Sequence, residues 1–112
     1  MTHEDLQKHL KESKLALHSC IGSKCMDEAG TYVSLLAFVM VETAQKKQES
    51  YALNITEIAT GSSAAKSEII MKASDEYRDY LIHKGYCEAL LEQVRNFRAK
   101  GKGDDSEKQM TS

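Results

Sequence analysis

The chain has 112 residues, a formal net charge of −2, 41% apolar and 29% charged residues, and neither proline nor tryptophan. That length fits one core rather than two, and that apolar fraction excludes an intrinsically disordered chain. Interleaved, nearly balanced charge argues against strong sequence-independent nucleic-acid binding, which needs a basic face to displace counterions, although a local basic patch is compatible with it.

The longest apolar stretch, Tyr32 to Val41, is ten residues. A membrane span needs about 20, so this segment belongs to a protein core. The start, Met1-Thr2-His3-Glu4-Asp5, lacks the basic opening and apolar run of a signal peptide, so a cytoplasmic protein is expected. Cys20, Cys25 and Cys87 form an odd set with no repeated CxxC spacing, and in a reducing compartment they read as free thiols.

A first helix is predicted after Thr2, whose hydroxyl can cap it while Glu4 and Asp5 favour the positive end of its dipole. Leu6, Leu10, Leu17 and Ile21 share one stripe, and Gly22-Ser23 ends it. A second helix starts near Asp27. Val33, Leu36, Ala37, Met40, Val41 and Ala44 dominate one side, but Tyr32, Leu35, Phe38 and Val39 fill the rest. A helix apolar nearly all round is expected to be buried on several sides. Its polar second half keeps a 4-3-4-3 rhythm through Ala44, Gln48, Tyr51, Ile55 and Ile58, so the helix is expected to continue to Gly61, a C-cap.

A third helix is predicted to open at Ser62 or Ser63 and to run unbroken to about Lys100. Ile70, Ala73, Tyr77, Tyr80, Lys84, Cys87, Leu91 and Val94 recur at heptad spacing, a seam for a partner helix. At about 1.5 Å per residue this helix would be roughly 55 Å long, which points to an extended hairpin or a dimer. Lys84 is the unexpected member; it can snorkel to water or set register. Residues 101–112 have no apolar period and are expected to form a disordered tail.

Candidate chemistry is sparse. His18, Cys20 and Cys25, with His83 or Cys87, match no standard zinc spacing. His83 and Cys87 are four apart on one helix, but a thiol nucleophile also needs an oriented base and an oxyanion site. Gly61-Ser62-Ser63 is a turn, not a phosphate cradle. Tyr77 and Tyr80 could stack on bases, although tyrosines at helical spacing usually serve a core or interface.

One stretch reads as a DNA-binding alternative. Ile55 to Ala59, the turn Thr60 to Ser63, and Ala64 to Ile70 resemble a helix-turn-helix, with Ser63, Lys66, Ser67 and Lys72 as the contact residues. Tyr80 to Tyr86 looks like the segment that precedes a wing, but Cys87 to Lys100 reads as helix rather than hairpin.

Ala73-Ser74-Asp75-Glu76-Tyr77-Arg78-Asp79-Tyr80-Leu81 resembles the A-S-x-E-Y-[KR]-x-[HY]-L run of small bacteriophage-encoded helical-hairpin proteins. In those proteins the run follows a polar connector and leads into a long charged helix. The resemblance covers residues 64 to 100 and implies a hairpin of long helices of undefined activity, with no catalytic or binding residues to carry over.

The expectation is an all-α protein: a long antiparallel helical hairpin with a shorter N-terminal helix and coiled-coil-like packing, in one domain over residues 1–100. The expected function is that of a non-enzymatic interaction or accessory factor without cofactor or metal. Its partner is first a second copy, as a dimer, and then another protein; nucleic acid is disfavoured and no membrane is involved. The seam residues Ile70, Tyr77, Tyr80, Lys84, Cys87, Leu91 and Val94 are the expected interface.

Overall fold

A computed structural model describes the backbone of residues 1–111 and the side chains through Gly103. Four helices follow in order: α1 (His3–Ser19), α2 (Ser23–Ala59), α3 (Ala64–Lys72) and α4 (Asp75–Thr111). The fold is all-α, and its two long helices pack antiparallel. Tyr32 stacks on Phe97, the Thr43 hydroxyl meets the Cys87 thiol, and Glu42 faces His83, so α4 descends as α2 ascends.

The start of α1 and the end of α2 each have a local cause. The Thr2 hydroxyl accepts from the Asp5 amide at 3.1 Å, and the Asp5 carboxylate accepts from the Thr2 amide at 3.2 Å, a reciprocal cap. The bond from the Thr2 amide, and after it the Thr2 hydroxyl beside the carboxylate, hold the Asp5 carboxyl below its ordinary value. α2 closes with Gly61 at φ +98°, where the Gly61 amide donates to Ile58 and the Ser62 amide to Glu57. This is a Schellman closure, which favours glycine.

Three expectations are corrected here. The helix predicted from Ser62 to Lys100 is broken: α3 ends at Lys72, and Ser74 caps α4 by accepting from the Tyr77 amide at 3.2 Å. Asp75 and Glu76 then occupy the favourable first turn. Second, Cys20 and Cys25 are joined in a disulfide rather than free, while Cys87 is a free thiol. The bridge clamps the α1–α2 joint, so α1 stops at Ser19 and α2 starts at Ser23, four residues before Asp27. Third, α2 is not buried on several sides. Its buried line is Cys25, Ala29, Tyr32, Leu36, Val39 and Ser50, whereas Val33, Phe38, Met40 and Val41 are exposed.

The core explains that asymmetry. Leu6 of α1, Tyr32, Leu36 and Val39 of α2, and Leu90, Val94 and Phe97 of α4 form one cluster, with the Cys20–Cys25 bridge at its end. α1 lies in one groove of the α2–α4 pair, parallel to α4. Its start sits beside Asp79 and Glu42, and Lys100 Nζ donates to the Leu17 and His18 carbonyls at its end. A cation there also complements the helix dipole. Gly101, in the stretch expected as a tail, is buried, and a Cβ on it would meet Met26 Sδ at 3.0 Å. The side chains of 104–112 lie outside the described residues.

The molecule measures 72 × 24 × 17 Å, with a radius of gyration of 19.5 Å. A compact chain of this length would have about 13 Å. It is a rod.

Candidate functional site

Two long helices side by side make two grooves. α1 occupies part of one, and the other is open. Met40, Ala44 and Lys47 of α2 and Tyr80, Lys84 and Cys87 of α4 line the open groove, which encloses about 270 Å³. Its floor is the Thr43–Cys87 contact at 3.2 Å. The Thr43 hydroxyl already donates to the Val39 carbonyl at 2.7 Å, so the Cys87 thiol supplies the proton between them. The floor is thus satisfied within the chain, and what remains on the surface is mainly apolar wall.

The walls extend along both helices. On α2, Val33, Met40, Tyr51, Ile55 and Ile58 are all exposed, Met40 by 56% and Ile55 by 68%. With Gly30, Ala37 and Ala44 they follow a three-and-four spacing, which keeps them on one outward line beside the groove. On α4, Leu91 (39%) is exposed one turn beyond Cys87, and Leu81 (45%) is exposed farther round the helix. Full burial of such a side chain is worth about 1.5–3 kcal/mol, and only part of that is realised where it is left half in water.

The seam residues separate into four placements. Tyr80, Lys84 and Cys87 line the groove, and Leu91 continues its α4 wall. Tyr77 is half-buried, with its ring 5.8 Å from that of Tyr80. Val94 is instead a core residue, and Ile70 sits on α3, off the α4 line, because the chain breaks at Ala73-Ser74. The face that α4 turns to α2 is His83, Leu90, Val94 and Phe97, of which the heptad count included Val94 alone. Lys84 needs no special explanation, since its seam borders solvent.

His83 and Cys87 do not act on each other. The buried His83 ring (1% exposed) donates from Nδ1 to the Asp79 carbonyl at 3.0 Å. Its Nε2 faces Glu42 Oε2 at 3.7 Å, and neither atom is hydrogen-bonded. Glu42 Oε1 accepts from the Met1 amine at 2.6 Å, and His3 meets the His83 ring edge-on. This polar cluster fixes the start of α1 on the α2–α4 pair. Among the described residues, no three His, Cys, Asp or Glu side chains converge as metal ligands, and no helix is long and apolar enough to cross a membrane.

The four residues of the DNA-binding alternative are placed unequally. Ser63 accepts from the Lys66 amide as the cap of α3. Ser67 is buried and donates to the Ala64 carbonyl. Lys72 pairs with Glu68 at 2.9 Å, which raises its ammonium above the ordinary value. Lys66 is exposed without an ion pair among the described residues.

Comparison with protein-family models, with curated proteins and with solved structures gave no match.

Proposed function

We propose that the chain is a non-enzymatic accessory factor that acts by helix–helix association and works as a homo-oligomer, dimeric first. The observation that carries this reading is the open α2–α4 groove, flanked by apolar side chains that the chain's own helices leave uncovered. A rod of this size has too few helices to cover both grooves of its central pair, and a second set of helices supplies the missing layer. The phage-hairpin resemblance of residues 73–81 fits such a role and adds no chemistry to it.

Light scattering on the purified protein, with and without short duplex and single-stranded DNA, tests the reading. The expected result is a mass of twice the 12.5 kDa chain, unchanged by either DNA. A 12.5 kDa species at all working concentrations would overturn it.

A DNA-binding regulator is the second reading, favoured by the glycine turn that joins α2 to α3 and by the exposed Lys66. It requires salt-dependent duplex binding that falls when Lys66 and Lys72 are both changed to Ala. Binding that is absent, or indifferent to those changes, removes it.

A further inference from the structure

Both walls of the open groove are evenly spaced in either direction about a single level of the rod, with unlike residues at most of the matching positions. On α2 the centre is Ala44. Counting outward from it in the two directions, Met40 matches Gln48, Ala37 matches Tyr51, Val33 matches Ile55 and Gly30 matches Ile58. Small residues thus stand opposite large ones at two of the four levels. On α4 the centre is Tyr86. Lys84 matches Glu88 and Leu81 matches Leu91, the two large apolar side chains exposed on that helix among the described residues. Farther out, Tyr77 matches Arg95. The two centres lie at one height, since Thr43 touches Cys87 across the pair.

We propose, building on the association reading above, that the groove is covered by a second copy of this chain, laid antiparallel about a two-fold axis through Ala44 and the 84–88 segment. An isologous interface must be self-complementary, each contact appearing twice, and these walls have that property. In this arrangement α2 runs against α2 of the second copy, with Ala44 against Ala44 on the axis. Ala37 and Gly30 make room for Tyr51 and Ile58. On the α4 side, Lys84 meets Glu88 of the second copy, twice, and Leu81 packs on Leu91.

Charge and size agree with this occupant. Lys84 and Glu88 are both exposed, stand one turn apart on the same face, and make no ion pair with each other or with any described residue. Crossing to a second copy gives both a partner. From Gly30 to Ile58 the α2 wall is about 42 Å long, and two helices side by side are roughly 20 Å wide. That makes roughly 800 Å² per copy, the area of a stable specific interface.

Cysteine cross-linking and a charge swap test the register. In a Cys87→Ser background, Ala44→Cys is expected to link to its own copy under mild oxidation. Ala37→Cys alone is not, but it links when mixed with Tyr51→Cys. Lys84→Glu is expected to weaken dimerisation about tenfold by setting like charges opposite each other twice, and Lys84→Glu/Glu88→Lys to restore it. Self-linking of Ala37→Cys as fast as that of Ala44→Cys, or no rescue by the swap, would overturn the antiparallel register while leaving self-association standing. A chain that is monomeric by mass overturns the association reading itself, and binding of DNA or another protein by that monomer would give the groove a different occupant.

Discussion

Phe97 and Phe38, the two phenylalanines, show how far composition alone can mislead. Phe97 is fully buried and stacks on Tyr32, while Phe38, within the most apolar run of the chain, is 54% exposed. Phe97→Ala is expected to cost about 3–5 kcal/mol in urea unfolding, and Phe38→Ala less than about 0.5. Equal losses would contradict the assignment of the core. At the other end of the core, Thr2→Ala is expected to remove about 1 kcal/mol by uncapping α1. The Asp5 half of that cap depends on pH. Its carboxyl titrates lower in the folded chain than in the unfolded one, so its contribution is complete above the ordinary carboxylate value of 3.8 and is lost as the pH falls through the folded value. A pH series on wild type and Asp5→Asn should therefore converge in acid. The cap was legible in Thr2, Glu4 and Asp5. The burial of His83 was not, because nothing in a sequence says that Glu42 will sit opposite it.

The helices follow from periodicity where one partner decides it and depart from it where two compete. α1 and the glycine end of α2 obey their local signals. The α3–α4 break had a local signal as well, Ser74 followed by Asp75 and Glu76, but the heptad count running through Ile70 and Ala73 outweighed it. That count marked a partner seam on α4 and left His83, Leu90 and Phe97, which face α2, outside it. A heptad seam and a core face lie less than a quarter turn apart, and only the position of α2 distinguishes them. The α1–α2 joint depended on a pairing that spacing did not disclose. Reduction, or Cys25→Ser, is expected to lower stability by about 2 kcal/mol, the chain-entropy value for so short a loop. Urea titrations with and without a thiol reductant measure this, and identical midpoints would show that the bridge does not form in solution.

At the scale of the whole molecule, the shape follows from how the helices share their neighbours. Two 37-residue helices lie against each other, and one 17-residue helix covers part of one groove. The extended form was foreseeable from the absence of proline and from the long apolar periods. The open groove was legible on its α4 side alone, through Tyr80, Lys84 and Cys87. The second half of α2 announced a repeating line through Ala44, Tyr51, Ile55 and Ile58, but in sequence that line was indistinguishable from core. In the fold it is an exposed surface, the one to which the proposed second copy is assigned.

Sedimentation of wild type beside Met40→Glu tests this most directly. Met40 is 56% exposed on the groove wall, so the substitution leaves the folded chain intact by circular dichroism while placing a charge in the interface. The expected result is a wild-type mass of twice 12.5 kDa and a variant at 12.5 kDa. A monomeric wild type, or a variant that dimerises as tightly as wild type, would contradict the assignment of the α2–α4 groove as the working surface.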